Sequence, residues 1–318
     1  MKRVRNKPGR GKIVCWIEYA AACCALRAAH VIPLKLGYFF ARVTGILIYY
    51  LVPRRRWVAL DNLRHVFAGR KNEQAIKALA RQSCCSFVAS LFEVGKFMAL
   101  LRNGEGLSQV RQAQEAAGFL IEKARRIHDE AGGCIFVTPH LGTWEFLPYA
   151  SFSAGIPLVV VVRPLDNPYL EELLYAYRGA SGQIIIPKKN SLYLLQTALR
   201  RGKSVALLPD QSTMKSISVE YMGCKATTTP IPALLAVLYH RPIVVVACCR
   251  VAMDFRFEGF VSDPIWPAPE ASEKAEIFRL TQAMNHEMEK IVYQRPEQYF
   301  WMHDRWKKYR TRGELFTS

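Results

Sequence analysis

Apolar positions follow three successive patterns along this chain. Residues 14–52, "VCWIEYAAACCALRAAHVIPLKLGYFFARVTGILIYYLV", form two long apolar stretches interrupted by Glu18, Arg27 and His30. From about residue 58 to about 100, "WVALDNLRHVF" and "NEQAIKALARQSCCSFVASLFEVGKFMALL" place apolar residues three and four apart, the spacing of helices with one buried face. After residue 130 short β-rich runs alternate with helical ones. "CIFVT" (134–138) precedes a helical 143–154, "PLVVVV" (157–162) a helical 168–178, "QIIIP" (183–187) a helical 191–201, and "SVALL" (204–208) follows. "IPALLAVLYH" then reads as helix, "PIVVVACCRV" and "DFRFEGF" as strands, and 272–294 as a long helix. Such alternation predicts an α/β fold with a mostly parallel central sheet flanked by helices. No internal repeat or Gly/Ser linker interrupts it. The expected division is an N-terminal attachment segment, 1–57, and one catalytic-size domain, 58–318.

Charge narrows the partners. The 318 residues carry 44 Lys and Arg against 26 Asp and Glu, a net +18, which favours a polyanion: nucleic acid, an anionic membrane or a phosphorylated substrate. Nine cysteines include three adjacent pairs and no C-x-x-C, so neither a disulfide framework nor a zinc site is signalled. Reduced thiols in a cytosol-facing protein are the simplest expectation.

The N-terminus separates two of the three polyanions. Residues 1–13 hold six Lys or Arg and no acid, and "PRRRW" closes the apolar stretch at 53–57. Basic clusters on both sides do not favour a single crossing. An interfacial helix or shallow hairpin keeps both clusters on an anionic cytoplasmic leaflet, with Trp16, Tyr38, Phe39, Phe40, Tyr49, Tyr50 and Trp57 as interfacial aromatics. Nucleic acid is not an expected partner, since neither a binding module nor a one-sided cationic stripe is found.

The candidate chemistry sits where strands end. In open α/β sheets ligands bind beyond the carboxyl ends of the strands. "CIFVT" runs into "PHLGTWE", which places His140 in the following loop, with Thr143 available as a helix cap. Residues five apart do not share a helix face, so His140 and Glu145 meet only if the histidine precedes the helix and the glutamate lies in its first turn. Glu145 would then orient one ring nitrogen and leave the other as a general base, with the helix N-terminal amides beside it for an oxyanion. Two further strand ends add Arg163, Arg178, Asp210 and Gln211 to the rim, and an aspartate there would hold a guanidinium in place. Gly142 would allow close approach of a substrate to the backbone. Cys134, starting a buried strand, is assigned to packing. "HEMEK" at 286 lacks a second histidine, so no metal is expected.

The ordered set "RRRWVALDNLRHVF", "HLGTWE", "RPLDNPYLEELLYAYRG", "LPDQS", "YMGCKATTTPIPALLA" and "PEQYFWMHDRWK" resembles the lipid A late acyltransferase family, lauroyl/myristoyl-type enzymes within the glycerolipid acyltransferase superfamily. The resemblance implies a glycerolipid-acyltransferase-like fold and transfer of an acyl chain from a thioester on acyl carrier protein to a hydroxyl of a phosphorylated glycolipid, without a cofactor. It also implies the inner membrane, with the catalytic domain on the cytoplasmic side. His140, Glu145, Arg178 and Asp210 become the catalytic set, and Arg163, Gln211, Gly223 and Thr228 the substrate-binding set. A lysophospholipid or other glycolipid acceptor would use the same chemistry, while a non-enzymatic basic membrane-surface binding protein would leave the strand-end residues unexplained. The aromatic and cationic "YFWMHDRWKKYR" reads as an interfacial anchor, or else as the packing of a C-terminal strand.

Overall fold

Pro33 splits the N-terminal apolar stretch into two helices. The computed structural model describes residues 11–102, 118–162, 165–180, 184–187, 191–213, 216–268 and 272–310, with backbone only at 99–102, 118–119, 176–180 and 187. Helix α1 (Lys12–Val31) ends at Ile32, whose extended backbone (ψ 128°) is what a following proline imposes, and α2 (Leu34–Leu51) starts directly after it. The third helix, α3 (Pro53–Val66), has a proline in its first turn, and α4 (Glu73–Arg102) is the longest.

Both α1 and α2 pack chiefly on α4. The reason is a small-residue stripe on α2: Gly37, Ala41 and Gly45, four apart and all buried. A Cβ on Gly45 would lie 2.4 Å from the Cα of Cys85, so only glycine lets the two backbones come this close. The opposite face of α2 leaves Phe39, Phe40, Val43, Leu47 and Tyr50 exposed. By length and composition both helices suffice to cross a membrane, and few of their residues are buried by the protein. That is consistent with membrane association.

The remaining elements build an α/β layer. Helix α5 (Gly118–Ala131) leads to β1 (Ile135–Val137), then a 3-10 turn (Trp144–Phe146), α6 (Leu147–Ser153), β2 (Leu158–Val162), α7 (Pro168–Ala180) and β3 (Ile184–Pro187). Next come α8 (Ser191–Arg200), β4 (Ser204–Leu207), the hairpin β5 (Ile217–Tyr221) and β6 (Cys224–Thr228), and α9 (Ile231–Tyr239). The chain continues through β7 (Ile243–Ala252), β8 (Arg256–Val261), α10 (Glu273–Gln294) and the short α11 (Lys307–Arg310). The sheet has the order β3-β2-β4-β1-β7-β8, parallel except for β8. A mostly parallel sheet covered on both faces accounts for strands that read as continuous apolar runs. Ile135 and Val137 point into a large core shared with α8, α9, α10 and the C-terminal segment; Phe136 points into a smaller one beneath α5 and α6.

Three local readings change. The helix expected over 143–154 is a 3-10 turn followed by a helix of seven residues. Thr143 caps nothing with its side chain; its hydroxyl donates to Glu93 instead. The hairpin β5–β6 was not evident from the pattern: its two-residue turn, Met222-Gly223, has both φ angles positive (55° and 74°), the geometry of tight hairpins.

The C-terminal aromatic segment packs into the protein rather than serving as an interfacial anchor, although it does so without forming a strand. Trp301, Met302, Arg305, Trp306 and Tyr309 are buried. Asn62 of α3 holds the segment down, donating to the carbonyls of Trp301 (2.9 Å) and His303 (2.8 Å) and accepting from Arg310 (2.7 Å). Tryptophan and tyrosine suit an interface and a core equally, and here the backbone carbonyls were claimed from within. In "RPLDNP", Asn167 caps α7 through its Oδ1 and donates to the Cys15 carbonyl (2.8 Å) and to Glu18 (2.9 Å), tying α1 to the sheet layer.

Candidate active site

Strands β1 and β4 are neighbours, paired from Ile135↔Val205 to Val137↔Leu207. The same offset of 70 carries past the strand ends and brings His140 to Asp210. The Asp210 carboxylate grips His140 at two points. Its Oδ1 accepts from the ring Nδ1 at 2.6 Å and its Oδ2 from the His140 backbone N–H at 2.8 Å. A proton on Nδ1 leaves Nε2 with its lone pair, facing the carboxamide nitrogen of Gln211 at 3.2 Å. Trp144 stands edge-on to the imidazole, ring centroids 5.1 Å apart.

Electrostatics follow from this contact. Burial would depress the His140 pKa, but the charge and hydrogen bond of Asp210, helped by the charge of Glu145, raise it above the ordinary imidazole value. Burial would raise that of Asp210, and the His140 charge and hydrogen bonds, with Arg305 assisting, hold it below the usual carboxylate range. Asp210 thus remains ionised beside a histidine able to accept a proton.

The histidine's loop is fixed from behind. Gly142 has φ +59°, and a Cβ there would lie 2.2 Å from the Cys248 carbonyl oxygen. What approaches Gly142 is therefore the β7 backbone, not a substrate. Its N–H donates to the Gln298 carbonyl and its carbonyl accepts from Ser90. Behind these lies a buried polar cluster in which Glu93 of α4 receives Arg250, Tyr38 and Thr143. The Asp210 side is braced as well. Ser212 N–H donates to His303 Nε2 at 3.2 Å, and buried Arg305 donates to the Thr227 carbonyl and to Thr228 Oγ1.

A cavity of about 670 Å³ opens beside the pair, a size typical of ligand pockets. One wall is the sheet face, with Phe136, Val160, Ala206 and Val246; the other is α5 and the 3-10 turn, with Leu120, Ala124 and Phe146. His140, Glu145 and Gln211 are polar groups of a lining that is otherwise mostly apolar.

The structure thus unites His140, Asp210 and Gln211, with Glu145 on the cavity wall. It changes two roles. The carboxylate on Nδ1 is that of Asp210, not Glu145, because β4 lies next to β1 and delivers it there. Asp210 accordingly holds an imidazole rather than an arginine. Gly223 and Thr228 are not brought to the cavity: Gly223 forms the β5–β6 turn, and the Thr228 hydroxyl is engaged by Arg305 and Asn285. Arg178 lies in α7 with its side chain outside the described residues, and Arg163 falls outside them altogether. Cys134 is fully buried, which pushes its thiol up to about 12. Glu93, Arg250 and His303 went unnoticed, although a charge inside the apolar runs "SLFEVGKF" and "ACCRV" was a usable signal.

Known proteins resemble this chain along most of its length. The family model described as bacterial lipid A biosynthesis acyltransferase matches residues 6–308. A lipid A biosynthesis acyltransferase of Haemophilus influenzae is 22% identical over 275 residues, covering 85% of this chain and 81% of that protein. The lipid A biosynthesis palmitoleoyltransferase of Escherichia coli is 24% identical over 279 residues, covering 87% and 86%. The lauroyltransferase of the same organism is 26% identical over 190 residues, covering 59% and 60%. With a match that runs nearly end to end and a histidine–aspartate pair standing where the ordered motifs converge, the chain belongs to the bacterial lipid A biosynthesis acyltransferase family.

Proposed function

We propose that this protein moves a fatty acyl chain from a thioester on acyl carrier protein to a hydroxyl of a phosphorylated lipid A precursor, with His140 as general base. The observation that carries the reading is the His140–Asp210 pair at an apolar cavity of about 670 Å³. Nε2 takes the proton of the acceptor hydroxyl as its oxygen attacks the thioester carbonyl; the imidazolium formed is held by Asp210 and stabilised by the charge of Glu145. The cavity accommodates the acyl chain. Transfer is direct: Cys134 is fully buried, and Cys248, though it lines the cavity, has a thiol that desolvation holds well above its ordinary value, so neither serves as a nucleophile.

The N-terminus supports the location included in this reading. Residues 1–57 form the membrane-attachment segment and 58–318 the catalytic domain, on the cytoplasmic side of the inner membrane. The exposed aromatic face of α2 and the net charge of +18 support this, and the same charge suits the acidic carrier protein and the phosphorylated acceptor. Arg163 and Arg178 are assigned to acceptor or oxyanion charge.

The test is transfer of a radiolabelled acyl group from acyl carrier protein to a tetra-acylated, Kdo-bearing lipid A precursor. His140→Ala abolishes transfer and leaves vesicle binding intact. Near-normal transfer by His140→Ala would overturn the assignment of the base. Mass spectrometry of the product reports the donor chain and the acylated position together.

A further inference from the structure

Neutral His140 has one nitrogen that can take a proton, and a side chain already faces it. Because Nδ1 donates to Asp210, Nε2 is the acceptor, so the group turned toward it must be the N–H₂ of Gln211 and not its carbonyl.

Besides the cations assigned above, the reaction needs a hydrogen-bond donor for the negative charge that develops on the thioester oxygen. The backbone amides leading into the turn are the obvious candidates, and they are already engaged. His140 N–H donates to Asp210 (2.8 Å), Leu141 to the Pro139 carbonyl (2.7 Å), Gly142 to that of Gln298 (3.1 Å) and Thr143 to that of Cys248 (2.9 Å). None can turn to an oxyanion without breaking a bond that fixes the loop. Ser212 N–H, on the other side, is held by His303. Among the described side chains, the Gln211 carboxamide is the donor turned toward Nε2. It is half-buried, lines the cavity, and is anchored by its neighbours: Asp210 on His140, and Ser212 bonded to His303 and Thr227.

We infer that Gln211 is a catalytic residue whose carboxamide N–H stabilises the oxyanion of acyl transfer. The inference rests on the reading of His140 as the base. In the resting site the amide caps the Nε2 lone pair. The acceptor hydroxyl displaces it, and Nε2 removes the hydroxyl proton as the new C–O bond forms. The carbonyl π pair moves to oxygen, where the displaced N–H donates to it. Collapse re-forms the carbonyl and breaks the C–S bond, and the imidazolium returns its proton to the departing sulfur. One hydroxyl and one thioester give one ester and one thiol.

The test uses the full chain in detergent micelles, with radiolabelled acyl carrier protein thioester and the lipid A precursor. Gln211→Leu and Gln211→Glu each remove the donor, and the second keeps the size of the side chain. Both are expected to lower kcat about 10²-fold, as loss of one oxyanion donor does, while KM for the acyl donor stays within about twofold. Unchanged kcat in either variant, or a rise in KM alone, would overturn the inference. His140→Ala, measured alongside, separates the two claims. If it retains transfer, the reading of the base fails; if it is inactive while Gln211→Leu is normal, only the role of Gln211 fails.

Discussion

Glu93 and Arg250 form a buried ion pair directly behind the loop that carries His140. Arg250 Nη2 donates to Glu93 Oε2 at 2.9 Å, its Nε donates to Oε1, and the two residues are 0% and 4% exposed. Ser86 and Ser90 accept further guanidinium N–H groups, and Ser90 passes the contact on to the Gly142 carbonyl. One pair thus joins α4, β7, α2 through Tyr38, and the active-site loop.

Removing one partner leaves a charge in the interior without compensation. Glu93→Ala is expected to cost about 3–5 kcal/mol, read from denaturant titration in detergent. Thr143→Val removes a single hydroxyl from the same cluster and should cost about 1 kcal/mol while lowering kcat, because it loosens the loop without stranding a charge. Equal losses of stability in the two variants would contradict this picture.

The His140–Asp210 pair sets two pH dependences. Catalysis needs a neutral Nε2, so kcat/KM rises with pH through the raised His140 value. Asp210→Asn removes the charge that opposes burial; the ascending limb should move to lower pH and kcat fall about 10²- to 10⁴-fold. Folding stability depends on both groups. The contribution of the raised histidine is complete below its ordinary 6.5 and is lost as pH climbs through the folded value. That of the depressed aspartate is present above its ordinary 3.8 and is lost as pH falls through the lowered one. Urea midpoints should therefore show a stabilising window between those limits in the native protein, and a flatter profile in Asp210→Asn.

Ala206 lies midway along the cavity wall, opposite Phe136 on one neighbouring strand and Val160 on the other. Ala206→Phe fills that space without touching the His140 rim. Donors competed pairwise by chain length should show selectivity shifting to shorter acyl chains, with the short-chain kcat retained. An unaltered preference would place the acyl chain elsewhere.

Gly142→Ala meets two obstacles, a φ of +59° and a Cβ 2.2 Å from the Cys248 oxygen, which belongs to the strand backbone and cannot swing aside. The cost is expected to be about 1–3 kcal/mol, with loss of transfer beyond what lower stability explains. Thermal unfolding and single-turnover transfer on the same preparation separate the two effects.

Local features were legible in the sequence. Outside the β5–β6 hairpin, strand and helix identities followed from period, since a strand buried on both faces reads as an apolar run whatever its neighbours are. The position of His140 in a strand-end loop, with Glu145 in the next turn, followed from helix geometry over a few residues. The identity of the carboxylate on the imidazole did not. Nothing near "HLGTWE" says that β4, seventy positions on, will lie beside β1 with its end in register. Sheet order is a product of packing on both faces of the sheet, and it alone gave the role to Asp210. The C-terminal aromatics were undecidable for a related reason. Their amphipathic side chains suit lipid and core alike, and Asn62, holding the carbonyls of Trp301 and His303, determined which they would meet.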